Sequence, residues 1–292
     1  MPRDHADRHN TRSVIDLRDI GIRDVPLVGV HRLSSAEPGL HPHVHRGLME
    51  ICYLKRGERV YCVGGRDYRF TGNEVFVTFP DEEHGSGDNP HGKGILYWMQ
   101  VRLPRRSSSF VGLTRGEAGP LVKSLRALPR RIFRGDHRLE AYFDEIRRLY
   151  FDAEAPLRRL AIESRVVSWL IAIVECASGE TTVDLSSDIR RAIEEARRDP
   201  GRTLSVPDLA RAAKLSTSRF KAKFKEQTGM SPAEYMLREK VRIARERIST
   251  GRESITEIAY DLGFSSSQYF ATVFKRFTRM RPTDVRAARV VK

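Results

Sequence analysis

The first hundred residues alternate between short apolar runs and turn-forming segments. EICYL (50–54), RVYCV (59–63), EVFVTF (74–79) and ILYWMQVRL (95–103) are rich in aromatic and β-branched residues, and segments containing Gly, Asn and Asp separate them. Several short strands at near-regular spacing are typical of a sandwich or a barrel. We therefore expect residues 1–115 to form a β domain.

From about Asp136 the apolar residues recur every three to four positions, which predicts helices. Four of them share one face of the first helix: Leu139, Phe143, Ile146 and Tyr150. A second helix, starting at Pro156, contains the run VVSWLIAIVECA, which is too short to span a bilayer and includes Glu175. The pair has more apolar surface than a hairpin can bury. We therefore expect residues 116–180 to form part of a homodimer, in preference to simple intrachain packing, and no membrane anchor.

The segment SGETTVDLSSD (178–188) is short and polar, as linkers are, and the chain after it contains a repeat. LARAAKLSTSRFKAKFKEQTGMSP (209–232) aligns with IAYDLGFSSSQYFATVFKRFTRMRP (258–282) at a spacing of 49–50 residues. Both copies have the periodicity of two consecutive helices. A tandem pair of similar two-helix units is therefore expected.

Each unit has the layout of a helix-turn-helix. A tight turn is expected at Lys214 or Gly263, and Ser216 or Ser265 is placed to cap the second helix. Phenylalanines four positions apart would bury one face of that helix: Phe220 and Phe224, then Phe270 and Phe274. The opposite face, which is polar and basic, has the right shape for the DNA major groove. The alternative is a helical packing or dimer domain with solvated basic residues, and the tandem repetition argues against it.

The charge distribution points to the same partner. The chain of 292 residues has a net charge of +14, and from Thr181 onward 24 Lys+Arg stand against 14 Asp+Glu, a net charge of +10. This concentration suits double-stranded DNA, although a merely soluble basic surface would have the same composition. Three scattered cysteines form neither a disulfide framework nor a zinc knuckle, and the N-terminus lacks the apolar core of a signal peptide. We expect a cytoplasmic protein.

The repeat resembles the two signatures of the AraC/XylS family of transcription regulators. SVPDLARAAKLSTSRFKAKFKEQTGMSPAEYM and SITEIAYDLGFSSSQYFATVFKRFTRMRPTDVR follow them in order, and REKVRIARERI resembles the connecting helix. The resemblance covers about residues 184–290 and implies two recognition helices in the major groove, about one helical turn (~34 Å) apart. Carried over to this chain, the DNA-contacting residues are Ser218, Arg219, Lys221, Ala222, Lys225, Ser267, Gln268, Tyr269, Ala271, Thr272, Lys275 and Arg276.

Two of these residues suit particular bases: Gln268 pairs well with adenine and Arg219 with guanine, although either one also suits a phosphate or water contact. Ala222 offers only apolar contact, such as to a thymine methyl group. The second copy departs from the first at Arg279, where Gly229 ends the first recognition helix. A left-handed conformation at Arg279 would cost about 1 kcal/mol, and we expect this arginine and Arg281 to contact phosphates.

The segment HPHVHRGLMEICYLKRG (41–57) resembles the first cupin motif, and GNEVFVTFPDEEHGSGDN (72–89) resembles the second. The resemblance implies that His43, His45, Glu50 and His84 meet inside the domain. Alternation along a strand places His43 and His45 on one side, and a turn at residues 46–47 would bring Glu50 inward from the next strand. Glu82 stands where the motif has glycine, and the spacing before His84 is one residue short, which displaces His84 from its usual position.

Three interpretations of this cluster remain open. The first is a site for one divalent metal ion, with Zn²⁺ favoured by imidazole and carboxylate ligands. The second is a metal-free pocket that hydrogen-bonds a polar effector such as a sugar, and the third is a catalytic centre. His41 is expected to be solvated. Tyr53, Trp98 and Gln100 lie on strands that line the pocket or, for the aromatic rings, pack in the core.

The sequence therefore predicts a two-domain α+β protein. A cupin-like β-barrel over residues 1–115 would sense a small-molecule effector, and 116–180 would be a helical dimerisation and connecting region. Residues 181–292 would be an all-α DNA-binding domain with helix-turn-helix motifs at about 206–227 and 255–278. We expect a non-enzymatic, homodimeric regulator of transcription, an activator that contacts RNA polymerase. The alternative is a metal-dependent cupin enzyme fused to a DNA-binding domain.

Overall fold

The computed structural model describes residues 11–87, 89–104, 108–152, 157–179, 185–198, 205–251 and 253–290. The chain forms two compact units. The first consists mainly of Leu40–Gly87 and Gly94–Thr182 together with Met1–Ser34, and the second contains Val183–Lys292. Pro156 and residues 180–184 of the expected linker lie outside the described residues, and the last two residues of that linker, Ser187 and Asp188, already belong to a helix.

Within the described part of the first unit, ten strands form two antiparallel sheets. The strands are β1 Thr11–Asp16, β2 Leu27–Leu33, β3 His43–Val44, β4 Met49–Arg56, β5 Glu58–Val63, β6 Arg66–Thr71, β7 Glu74–Thr78, β8 Glu83–Gly85, β9 Gly94–Val101 and β10 Ile132–Arg134. The large sheet has the order β1-β2-β9-β4-β7-β10 and the small sheet β3-β8-β5-β6. The predicted cupin-like β domain is confirmed, as two facing sheets.

The ladder does not close into the continuous barrel that the sequence suggested. The edge strand β3 has only two residues, and the other edge strand of the small sheet, β6, pairs only with β5. Among the described strands, neither edge of the small sheet pairs with the large sheet. Strand β10 lies beyond the predicted limit at residue 115 and pairs with β7, so the large sheet extends into the region expected to be helical.

Three helices pack on the outer face of the large sheet: α1 Arg115–Arg126, α2 His137–Phe151 and α3 Arg158–Ser178. The predicted face of α2 is confirmed, since Leu139, Phe143, Ile146 and Tyr150 are all buried. Trp169 of α3 is fully buried and donates its indole N–H to the Leu139 carbonyl at 3.0 Å. Helix α1, capped by Thr114, buries Ala118, Leu121, Val122 and Leu125 on one face and was not predicted separately. No helix in the described part of the chain is long and apolar enough to cross a membrane.

The described part of the second unit is helical: α4 Ser187–Arg198, α5 Val206–Ala212, α6 Thr217–Thr228, α7 Pro232–Thr250, α8 Ile255–Asp261, α9 Ser267–Thr278 and α10 Pro282–Val290. The helices have two separate apolar cores. Phe220 and Phe224 anchor the core of α4, α5 and α6. Phe270 and Phe274 anchor that of α8 and α9 against α7. The two halves of the repeat are thus two modules joined by one helix.

Candidate nucleic-acid interface and histidine cluster

The turn between the helices has the same geometry in both modules. Lys214 has φ 57° and Gly263 has φ 69°, both in the left-handed region. The next residue then returns its N–H to the first helix: Leu215 donates to the Ala210 carbonyl and Phe264 to the Ala259 carbonyl, each at 3.0 Å. This repeated bond fixes the angle at which the second helix leaves the turn. The turn predicted from the repeat is confirmed.

Helix α6 begins at an N-cap, Ser216, whose side chain accepts the backbone N–H of Arg219. Phe220 and Phe224 are fully buried on one side. The residues predicted to contact DNA are all exposed on the other side: Ser218, Arg219, Lys221, Ala222 and Lys225. Lys223, which lies between the two faces, pairs with Asp188 of α4 at 2.7 Å. The helix therefore presents a basic, unobstructed surface.

Helix α9 is capped by Ser266, which accepts the N–H of Tyr269, and not by Ser265 as the sequence analysis expected. Three consecutive serines offer equivalent caps, and the length of the turn selects among them. Most of the predicted contact residues are exposed: Gln268, Tyr269, Thr272, Lys275 and Arg276. Ser267 and Ala271 are half-buried at the border of the face that packs on the core. The exposed surface of α9 is therefore formed mainly by Gln268, Tyr269, Thr272, Lys275 and Arg276.

The two recognition helices end in the same way. Thr228 donates its hydroxyl to the Phe224 carbonyl at 2.7 Å, and Thr278 donates to the Phe274 carbonyl at 2.8 Å. The following residue is left-handed in both modules, with φ 67° at Gly229 and φ 61° at Arg279. The second module thus tolerates backbone strain to keep an exposed arginine at this end of its recognition helix.

In the first unit, the four predicted cup residues lie together. The ring nitrogens of His43, His45 and His84 that face one another lie within 4.8 Å. Register explains this, because β3 pairs with β8 and places His43 opposite His84. The Glu50 carboxylate lies 3.1 Å from His45 Nε2 and 3.6 Å from His84 Nε2. The turn predicted at residues 46–47 is present, with the Leu48 N–H donating to the His45 carbonyl.

Two residues of the cluster are buried, and the other two are partly exposed to solvent. His84 is 1% exposed and Glu50 is 8% exposed, whereas His43 and His45 are half-buried. Burial raises the pKa of Glu50, but the imidazole of His45, at 3.1 Å, and the nearby imidazole of His84 outweigh it and hold that pKa well below its ordinary value. Burial lowers the pKa of His84, and the interaction with Glu50 overcomes this so that the pKa is raised. An ionised carboxylate is therefore stabilised among imidazoles.

Of the three residues expected near the cluster, one lies beside it and the two aromatic residues pack in the apolar cores. Gln100 is buried beside the cluster, with its Nε2 3.4 Å from a Glu50 oxygen and 3.3 Å from His45 Nε2. Trp98 lies between the sheets, in the apolar core below the cluster. Tyr53 instead faces the helices on the far side of the large sheet, so it does not line the pocket. His41 is exposed, as expected.

Comparison with known proteins finds a family model that matches each of the two units. A model described as an AraC-like ligand-binding domain matches residues 29–170, and a helix-turn-helix domain model matches residues 209–288. The chain belongs to the AraC-like family of transcription regulators. This regulator is 25% identical over 269 residues to the HTH-type transcriptional activator RhaS of Escherichia coli O157:H7, covering 88% of this chain and 91% of RhaS.

Two further similarities differ in extent. The regulator is 34% identical over 98 residues to an AraC-like transcription regulator of Streptomyces lividans, and this match spans 34% of the chain and 32% of that relative. The chain thus covers about a third of the length of the Streptomyces protein. Among solved structures, ToxT from Vibrio cholerae is 14% identical with a TM-score of 0.34, over 88% of this chain and 96% of ToxT.

Proposed function

We propose that this AraC-like regulator binds a specific DNA sequence through both helix-turn-helix modules, under the control of a small ligand bound in its β domain. The observation that carries the proposal is the pair of matching recognition helices. Each has its own core and an exposed basic face. Arg219, Lys221, Lys225 and Lys275 have no carboxylate partner in the described residues, so their charge is available to phosphates.

The connecting helix supports simultaneous docking of the two modules. Helix α7 has 19 residues, which corresponds to a length of about 28 Å. Successive major-groove faces on one side of DNA are about 34 Å apart. The two modules are therefore joined by a helix that is nearly as long as one turn of DNA, which supports docking in adjacent grooves.

Binding-site selection from a random DNA library tests this function. The full-length protein should enrich a site with two sequence blocks separated by about one helical turn. Its affinity for that site should exceed its affinity for scrambled DNA by a factor of about 10³ or more. A ratio near one would instead indicate a structural nucleoid-type binder.

We further propose that the regulator is a cytoplasmic homodimer and activates transcription through contact with RNA polymerase. The similarity to an activator, RhaS, supports activation. Exposed apolar side chains support self-association: Leu160 and Ile171 of α3 are 60% and 44% exposed, and Phe151 of α2 is 43% exposed. Replacing Leu160 and Ile171 together by glutamate should yield a monomer in sedimentation equilibrium. We propose no catalytic activity, since the relatives are named as regulators.

A further inference from the structure

The space between the two sheets is largely occupied by the protein's own side chains. Tyr61, Phe70 and Phe76 contact one another with ring centroids 5.1–5.4 Å apart. They belong to a buried cluster with Cys52, Leu54, Val63, Leu96 and Trp98, in which every member is at most 8% exposed. The Tyr61 ring lies 6.4 Å from that of His84, so the histidine cluster rests directly on this aromatic core.

The size of the cluster suits an ion. The Glu50 oxygens lie 3.1 and 3.6 Å from His45 Nε2 and His84 Nε2. Ligands at about 2.0–2.1 Å from a tetrahedral Zn²⁺ are themselves about 3.3 Å apart. The three histidine nitrogens lie within 4.8 Å of one another, so a modest contraction would complete the site.

The backbone prepares two of the histidines as ligands. His43 Nδ1 donates to the His41 carbonyl at 2.9 Å, and His84 Nδ1 donates to the Glu82 carbonyl at 3.2 Å. A carbonyl only accepts, so each Nδ1 carries a proton, and in the neutral imidazole each Nε2 then presents a lone pair. This arrangement is typical of metal-binding histidines, whose other ring nitrogen is held by a carbonyl or carboxylate.

One nitrogen in the cluster lacks a partner. His84 Nε2 is buried and makes no hydrogen bond to any group in the described part of the protein. A buried acceptor left without a partner costs about 1–3 kcal/mol. Its nearest charged atom, a Glu50 oxygen at 3.6 Å, is itself an acceptor when ionised. A cation between the two would satisfy both groups.

We propose that the regulatory ligand of the β domain is a divalent transition-metal ion, bound by His43, His45, His84 and Glu50. The inference rests on the proposed function and identifies the chemistry of its ligand. His43 and His84 lie on β3 and β8 of the small sheet, and Glu50 lies on β4 of the large sheet. The ion therefore cross-links the two sheets and stabilises one arrangement of them. That preference is what a ligand needs in order to shift DNA binding. Gln100 positions Glu50 and His45 from outside the ligand set.

The first measurement is metal binding to the full-length protein, purified without a His-tag and stripped with chelator. Titration calorimetry and metal analysis with Zn²⁺, Mn²⁺, Ni²⁺ and Co²⁺ should show one ion per chain for at least one metal. Bound Co²⁺ should have the intense visible absorption of a tetrahedral site. His84→Asn and Glu50→Gln should each weaken binding at least tenfold. The control His41→Gln, which changes a neighbouring exposed imidazole, should leave it unchanged. Stoichiometry below about 0.1 per chain would overturn the proposal.

The second measurement is the affinity for the selected DNA site with and without the metal. A regulatory ion should change that affinity about 5- to 150-fold, and the change should be lost in Glu50→Gln. Unchanged DNA affinity despite metal binding would overturn the regulatory role, as would a response to a sugar in metal-free protein. Absence of sequence-specific binding in both states would instead contradict the proposed function. Turnover of a substrate by the metal-loaded protein would replace the regulatory interpretation with an enzymatic one.

Discussion

The end of the second recognition helix offers a test that separates stability from DNA binding. Arg279 adopts φ 61°, whereas the equivalent Gly229 adopts φ 67° at no steric cost. Replacing Arg279 by glycine removes about 1–2 kcal/mol of left-handed strain and adds about 0.5–1 kcal/mol of chain entropy to the unfolded state. We expect the second module to become more stable by about 0.5–1 kcal/mol.

The same substitution removes an exposed cation at the DNA surface. If Arg279 contacts one phosphate, the slope of log K against log salt falls by about 0.9, and affinity falls about five- to eightfold at 0.1–0.15 M salt. Arg279→Gly should therefore stabilise the second module and weaken DNA binding, as expected where a functional residue is held in a strained backbone.

Hydrogen-exchange mass spectrometry measures the stability of each module separately, because peptides from α8–α9 and α5–α6 report on different cores. Arg279→Gly should slow exchange in α9 alone. The reciprocal control, Gly229→Arg, should speed exchange in α6. DNA titrations at several salt concentrations measure the affinity and its salt dependence. Equal or faster exchange in α9 of Arg279→Gly, or unchanged affinity and salt slope, would refute the reasoning.

Three further predictions follow from particular contacts. A Cβ at Gly29 would overlap the Trp98 ring, so Gly29→Ala should lower the free energy of unfolding of the first unit by about 1–3 kcal/mol in urea titrations followed by tryptophan fluorescence. Burial raises the pKa of Asp188, but hydrogen bonds from Lys223, Ser186 and the Ile189 N–H lower it further, from 3.8 to about 2. The stability difference between wild type and Asp188→Asn should therefore be nearly full above about pH 4 and shrink to a small fraction by about pH 2. Arg281→Ala should weaken DNA binding without changing sequence preference in a binding-site selection.

Each of these has a control or an opposing outcome. Gly119 of α1 has open space around its Cβ position, so Gly119→Ala should be neutral or stabilising. If Gly29→Ala behaves like it, Trp98 does not pack as described. A difference for Asp188→Asn that persists at pH 2 would rule out the ion pair as its cause. A shifted base preference for Arg281→Ala would mean that Arg281 reads bases.

The repeat was predictable because each module buries one face of its second helix with the same residue types at the same spacing. Phe220 and Phe270 must be buried, and that alone sets which face is exposed. The histidine cluster was predictable from the resemblance of its two segments to the cupin motifs. Strand alternation was only part of that reasoning, because β3 ends at Val44 and His45 lies just beyond it.

Features that depend on distant pairing were not predictable. Strand β10 is three residues long and forms only because β7 presents a free edge after a helix has intervened. Tyr53 and Trp98 lie on adjacent strands with similar apolar neighbours, and only the register of β4 against β9 decides that they face opposite sides of the sheet. The cap at Ser266 depends on turn length, which three consecutive serines do not reveal.

The central claim is that two recognition helices read two separate parts of one DNA site. It is tested most directly by measuring the affinity of wild type, Arg219→Ala, Gln268→Ala and the double variant for the selected site and for sites altered in either half. Each single variant should lose about 1–3 kcal/mol and relax discrimination in one half only, and the losses should add because the modules have separate cores. If each single variant instead lost the same discrimination against changes in both halves of the site, the two helices would not read separate parts of it.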